Sequence, residues 1–325
     1  MLKPYGDIRQ RRFLAGIVEE RMKTRYAIQL AYDGKDFCGW QIQRGTGRHE
    51  NPKPSIEGKM VGAIRELCDE EVTVTASGRT DAGVHASGQV AHFDLEESAD
   101  RFSDENLRRG LIDRLPETIQ IPALVKVSSA FHAKQTAGKQ YSFYFQQGPV
   151  PLPHLRHYTF WNRARLDHRA MDVAAKCLMG KQDFATFCGG GAQVSSTIRE
   201  IFAAAVTRED VPVPGVHGQQ GLELIRIRLQ GSGFLKGMVR RIAGTLRRIG
   251  EGHLPQEALA AILASGDRDQ SGPPVPAQGL WLERVWYKQN EGTDFLTQPD
   301  SELMPKPNHE TAIPAVGSRL SHPLE

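Results

Sequence analysis

Between residues 26 and 127 the apolar residues switch twice from a spacing of two to a spacing of three or four, and this confines the chain to a sheet covered by helices. Tyr26, Ile28, Leu30 and Tyr32 alternate as a strand does. Ser55 can cap a helix whose apolar positions Ile56, Met60, Ile64 and Leu67 lie on one face. Val72 and Val74 begin a second strand, and Ala91, Phe93 and Leu95 mark a third. A helix opening at Ser103 carries Leu107, Leu111 and Leu115, and Pro116 ends it. Ile119 to Val127 reads as a fourth strand, completing the order β-α-β-β-α-β, the split βαβ arrangement. The order recurs: alternation at Tyr141, Phe143 and Phe145, a helix from about Asp167 to Gly180, and strands at Ile198–Thr207 and Leu222–Leu229. A helix from Phe234, a shorter one after Pro255 and a strand near Leu280–Tyr287 follow. Two α/β halves with a boundary near 130–140 are predicted, although no residue-level repeat accompanies the recurrence.

A length of 325 residues fits about two domains at roughly 150 residues each. With 39% hydrophobic and 24% charged residues, the composition excludes a fibre and wholesale disorder. The apolar run Ala258–Ala264 is far shorter than the ~18 residues of a membrane span. No secretory signal is visible, and Cys38, Cys68, Cys177 and Cys188 form no CxxC pair. A cytoplasmic protein without a structural metal site is therefore expected. The net charge of +3 is uneven: residues 289–325 hold two basic and six acidic residues, so the remaining body carries +7. A basic body suits a polyanionic partner without proving one.

The segment Ser77-Gly78-Arg79-Thr80-Asp81-Ala82-Gly83-Val84-His85-Ala86-Ser87-Gly88-Gln89-Val90-Ala91-His92-Phe93 is too long for a simple hairpin turn between the second and third strands. Gly78, Gly83 and Gly88 permit unusual backbone angles or close approach of another molecule, and Asp81 and Arg79 stand between them. An isolated Asp beside Gly more often bonds its own loop than reacts; presented from a rigid loop, it can serve as nucleophile or base. Residue types alone leave both open. The helix from Phe234 has an apolar seam at Leu235, Val239, Ile242, Leu246 and Ile249. Lys236, Arg240 and Arg247 flank it with Arg241 and Arg248 beside them, either as a solvated face or as a phosphate-tracking one. Gly189-Gly190-Gly191 lacks the Lys-Ser/Thr of a P-loop, and Lys236 replaces the third glycine of a dinucleotide fingerprint at Gly231-Ser232-Gly233. His85 and His92 have no partner at metal-ligand spacing.

The string Gly78–Phe93 resembles the signature of the bacterial TruA-type tRNA pseudouridine synthases. Other pieces resemble that family in the same order: Tyr32-Asp33-Gly34 with Phe37–Gln41, Phe131-His132-Ala133 with Lys139-Gln140-Tyr141, and Asp183–Phe187 with Thr197-Ile198-Arg199. Gly233–Leu235 with Met238–Gly244, and Gly279–Leu282, extend the resemblance over about residues 24–287. It implies Asp81 as the nucleophile, Arg240 as its charge partner, Arg79 as the residue filling the base stack, and Tyr141 and Leu280 against the uracil. Thr80, His85, Lys236, Arg241, Arg247 and Arg248 are the further substrate-binding candidates. The Arg44–Pro54 loop is longer than the family's usual one.

The expected fold is α+β, in two halves of ferredoxin-like order, with mixed, largely antiparallel sheets, helices on one side and the cleft between the halves. The expected divisions are a basic arm at 1–22, a first half at 23–132 with the Asp81 loop, a second half at 133–288 with the Arg240 helix, and an acidic, Pro-rich, disordered tail at 289–325. The resemblance implies a homodimeric isomerase, needing neither metal nor organic cofactor, that converts uridines of the tRNA anticodon stem-loop, positions 38–40 in tRNA numbering. A synthase acting on another RNA, or a non-catalytic RNA-binding protein on the same fold, is the alternative.

Overall fold

The computed structural model describes residues 23–43, 53–96, 102–191, 194–211 and 222–288. The expected arm at 1–22, tail at 289–325 and most of the Arg44–Pro54 loop lie outside the described residues. The first half contains β1 (Lys23–Tyr32), α1 (Ile56–Cys68), β2 (Thr75–Ala76), β3 (His85–Glu96), α2 (Asp104–Ile112) and β4 (Ile119–Val127). The second contains β5 (Gly138–Gln146), β6 (Phe160–Trp161), α3 (His168–Ala175), β7 (Gly180–Asp183), β8 (Ile198–Val211), β9 (Leu222–Gly231), α4 (Met238–Gly250), α5 (Ala258–Ser265) and β10 (Leu280–Trp286).

Helix starts follow local capping chemistry. The Ser55 side chain accepts from the Gly58 N–H, Ser103 from Asn106, and Asp167 from Arg169 and Ala170, each satisfying donors that the first helical turn leaves free. α1 buries Ile56, Met60 and Ile64 as expected, while Leu67 stays half-exposed and Cys68 takes the inner position.

The strands form one mixed, mostly antiparallel sheet in the order β4-β1-β3-β10-β5-β9-β8-β7, with β2 on β3 and β6 on β5. β3 and β10 are parallel and join the two groups of strands through the pairs Trp281↔His85 and Leu282↔Ala86. A single buried apolar cluster runs through both groups, from Tyr26, Ile28 and Phe93 to Phe143, Ile227 and Leu246. β5 shows how the sheet divides its faces: Tyr141, Phe143 and Phe145 enter the core, and Gln140, Ser142 and Tyr144 point to the other side. There all three donate to the Glu283 carboxylate, which also pairs with Arg226 at 2.7 Å. These donors and the Arg226 charge keep Glu283 below its ordinary pKa despite its burial.

Three expectations are corrected. Val72 lies outside any strand and Val74 is buried without joining the ladder; only Thr75–Ala76 pairs there. The connection that follows is shorter than expected, because His85–Phe93 is already strand, where Ala86 and Ala91 pair with β1. The basic helix begins at Met238 rather than Phe234: Gly237 adopts φ +67, and Gly189 donates its N–H to the Lys236 carbonyl, so the chain before it is a loop. Among the described residues no helix is long and apolar enough to cross a membrane.

Candidate active site

The loop Ser77–Val84 leaves β2, turns and enters β3, and its geometry is set by a few contacts. Ser77 donates its N–H to the Val90 carbonyl, and Val84 donates to the Asp81 carbonyl, closing a tight turn at Ala82-Gly83. Gly83 takes φ +77 there. Trp40 donates its N–H to the Thr80 carbonyl, and the preceding Gly39 has φ +102. A Cβ at Gly39 would come within 2.5 Å of the Thr80 oxygen, so only glycine lets the first loop of the chain pack this closely under the Asp81 turn.

Side chains brace the same loop. The hydroxyls of Tyr32 and Thr80 are 2.8 Å apart. Buried Gln89 accepts from the Ser77 hydroxyl and donates to the Gly78 carbonyl at 2.8 Å. Burial pushes the Tyr32 phenol up to about 12, so it stays protonated as part of this bracing.

The loop opens on a cavity of about 1040 Å³. Arg79, Thr80, Asp81 and Val84 line one side, Tyr141 and Leu280 come from β5 and β10, and Phe234 to Arg240 close the other. A space this size accommodates a nucleotide. Across it, Arg240 Nη1 stands 3.9 Å from Asp81 Oδ2, at the limit of an ion pair and beyond hydrogen-bond distance. Arg240 Nε donates to the Val275 carbonyl at 2.6 Å, which fixes the direction of the guanidinium. Burial pulls the Arg240 pKa down and Asp81 opposes this, with Arg241 adding to the decrease.

Tyr141 is buried, with its ring edge-on to Phe234 at 5.1 Å. Burial, with Tyr32 and Asp81 nearby, holds its pKa well above the usual phenol range. At neutral pH it therefore offers a packing face and a protonated hydroxyl, not a base. Arg79 is exposed at the mouth and makes no hydrogen bond or ion pair with the described residues. Lys236 lines the far wall, its Nζ 3.5 Å from the Gly190 carbonyl.

The structure thus brings together Asp81, Arg79, Thr80, Tyr141, Leu280, Lys236 and Arg240. The other candidates lie elsewhere. His85 is fully buried: Gly34 donates to its Nδ1 at 3.1 Å, its Nε2 lies 2.7 Å from the His157 carbonyl, and its ring stacks on Trp281 at 4.5 Å. With both nitrogens occupied and no exposed surface, His85 is a packing residue at the β3–β10 junction, which corrects its assignment to substrate binding. Arg241 donates to the Ser271 hydroxyl at 3.0 Å. Arg247 lies 5.9 Å over Phe160 and pairs with Glu251, and Arg248 lines a separate depression with Gly244 and Pro273. Sequence reasoning missed the bracing residues Tyr32, Gln89 and Lys139. All three stand inside the motifs it recognised, but no local pattern reveals their partners.

A family model and three curated relatives carry the same description. A family model described as tRNA pseudouridine synthase matches residues 174–288. A tRNA pseudouridine synthase A of Bdellovibrio bacteriovorus is 36% identical over 270 residues, covering 83% of this chain and 97% of that protein. The protein of that name from Moorella thermoacetica is 38% identical, covering 80% of this chain and 98% of its own length, and that from Shouchella clausii is 37% identical over 82% and 94%. With identity above a third along nearly the whole of these relatives, the chain belongs to the TruA-type tRNA pseudouridine synthases, a family of isomerases that convert uridine to pseudouridine.

Proposed function

We propose that this enzyme isomerises uridines in the anticodon stem-loop of tRNA, at positions 38–40 in tRNA numbering, with Asp81 as the nucleophile. The observation that carries the reading is the Asp81 carboxylate, held on a braced loop and facing Arg240 at 3.9 Å across a cavity walled by Tyr141 and Leu280. The carboxylate is the nucleophilic form of the side chain, and the guanidinium places a positive charge beside it. The carboxylate adds to the target nucleoside, at the ribose or at the uracil. The N1–C1′ bond breaks, the uracil turns, and a C5–C1′ bond forms. The C5 proton leaves, N1 gains a proton, and Asp81 is released unchanged, so the atoms balance with no added reactant. Tyr141 and Leu280 pack on the uracil, and Arg79 enters the space that the extruded base leaves in the stack.

The remaining assignments follow from the same reading. Lys236 and Thr80 sit on the cavity wall, and Arg241, Arg247 and Arg248 extend the positive surface along α4 toward the RNA backbone. Residues 23–132 and 133–288 act as two ferredoxin-like halves, a reading supported by the antiparallel orders β4-β1-β3-β2 and β10-β5-β9-β8. The working form is a homodimer in which one tRNA touches both subunits. The test is to incubate purified enzyme with tRNA transcripts and map pseudouridine by position. Conversion confined to uridines 38–40, and lost when those uridines are replaced, is expected; conversion elsewhere in the tRNA overturns the site assignment.

A further inference from the structure

Beside the cavity, Lys139 on β5 reaches across to the Asp81 loop, and its Nζ donates to the Ser77 carbonyl at 2.7 Å. The contact is close: a Cβ built on Gly78 would lie 2.7 Å from that nitrogen. Lys139 pairs in register with Gly231 on one side and Val285 on the other, so its backbone is fixed by the sheet. Two residues along, on the same face of β5, is Tyr141. The opposite end of the contact is equally placed. Ser77 and Gly78 lie where the chain leaves β2, and their carbonyls are taken by Lys139 and Gln89 side chains instead of a strand partner. Gln89 belongs to the same strand group as the loop, whereas Lys139 belongs to the other group.

We propose that Lys139 is a positioning residue for the isomerisation, tying the loop that carries Arg79 and Asp81 to the strand that carries Tyr141. The proposal rests on the reading of Asp81 given above. A stabilising role does not explain this lysine. Its ammonium pairs with no carboxylate among the described residues. Burial, with Arg199 nearby, pulls its pKa down to about 8, so the folded state holds the charge at a disadvantage. What the residue does supply is a hydrogen bond of fixed direction between the two groups of strands. Without it the Ser77 carbonyl has no partner from β5, and the loop is free to shift relative to Tyr141. A displacement of about 1 Å at a reacting group costs about 100-fold in rate.

The test compares Lys139→Met, which keeps the length but removes the donor, with Lys139→Arg, which keeps a donor, and Gly78→Ala, which displaces the ammonium from the other side. Single-turnover conversion of tRNA at saturating enzyme, tRNA Kd and Tm are measured for each, with Asp81→Asn as a control. Lys139→Met and Gly78→Ala are expected to slow conversion by about 10- to 100-fold. Kd should be unchanged and Tm unchanged or raised, while Lys139→Arg retains most of the rate. A wild-type rate in Lys139→Met overturns the proposal. So does a loss confined to Kd, which would make Lys139 a phosphate contact, and so does a rate loss in Gly78→Ala that matches a fall in Tm. An active Asp81→Asn overturns the reading of the site and this proposal with it; an inactive one beside a fully active Lys139→Met overturns this proposal alone.

Discussion

Replacing Asp81 by Asn changes one atom of the loop and removes one negative charge. The structural effect follows from the contacts. Among the described residues Asp81 Oδ2 has one ion-pair neighbour, Arg240 Nη1 at 3.9 Å. Unit charges at that separation attract by about 1 kcal/mol in water and about 4 kcal/mol at an effective dielectric of about 20. Asp81 keeps 35% of its side-chain surface exposed, so solvent screening puts the pair near the lower figure. The turn itself is made by the Asp81 backbone carbonyl and the Val84 N–H, which the amide leaves intact. Asp81→Asn should therefore shift stability by about 1 kcal/mol, or about 1–2 °C in Tm for a chain of this size. Binding of tRNA should hold or tighten, because a negative charge leaves the path of a polyanion. Conversion should vanish, since the amide is a poor nucleophile and cannot form the covalent adduct. Tritium placed at C5 of the uridines reports the reaction directly, because isomerisation releases it to water. Even ~3% residual release would correspond to only about 2 kcal/mol of barrier, too little for loss of the bond-forming group, and would remove Asp81 from that role.

Arg79 stands exposed at the cavity mouth without a partner among the described residues, so Arg79→Ala should slow conversion by a larger factor than it raises Kd, base extrusion needing a few kcal/mol of compensation. Equal factors would make it a plain phosphate anchor. Arg247→Gln with Arg248→Gln should weaken binding to every tRNA and reduce the slope of log Kd against log salt by about 0.9 per lost phosphate contact; an unchanged slope would show that this end of α4 is only solvated. His92 predicts an acid limb in stability. Burial, with Arg25 and His132 nearby and Lys134 adding a little against the opposing Asp94, pulls its pKa down to about 4. The unfolded chain takes up that proton near 6.5, so stability is full above about pH 6.5 and falls by about 3 kcal/mol toward pH 4. His92→Asn, which can still accept the Ala133 N–H now bound at 3.2 Å, should flatten that fall in urea titrations at pH 7 and 4.5. An unaltered pH dependence would place the acid sensitivity elsewhere.

The parts of the fold legible in the sequence are those fixed by neighbours along the chain. Ile119–Val127 was readable to the residue as an edge strand, although its buried positions Ile119, Ile121 and Leu124 step over a bulge. α1 and α2 were readable at their starts, because Ser55 and Ser103 place an acceptor where free N–H groups need one. The start of α4 was not. Phe234 and Leu235 continue its apolar period, but the interruption depends on Gly189 taking the Lys236 carbonyl from a distant loop. Among the site residues, Asp81 and Arg79 stand in one specific string, whereas Lys139 acts through a carbonyl that only the sheet brings near. His85 failed for the same reason: its place in the string suggested contact with substrate, and its environment is made by Tyr158 and Trp281.

That environment bears on how the site works. Asp81 comes from one group of strands, and Arg240, Tyr141 and Leu280 come from the other, so the 3.9 Å gap is only as constant as the join between them. The join in the sheet is short, with two parallel register pairs between β3 and β10. Around it, His85 stacks on Trp281, Trp281 donates its indole N–H to the Tyr158 carbonyl, and the Tyr158 hydroxyl donates to Asp33 at 2.9 Å. Asp33 begins the segment in which Gly34 donates to His85, closing the circuit beneath the Asp81 turn. Burial lowers the His85 pKa, which keeps the ring neutral with Nδ1 free to accept from Gly34. These contacts and the Lys139 bond tie the two groups of strands together at two places around the loop. The proposed chemistry needs such ties, because a nucleophile and charge partner drawn from different groups of strands would raise the barrier if they had to reorganise during reaction.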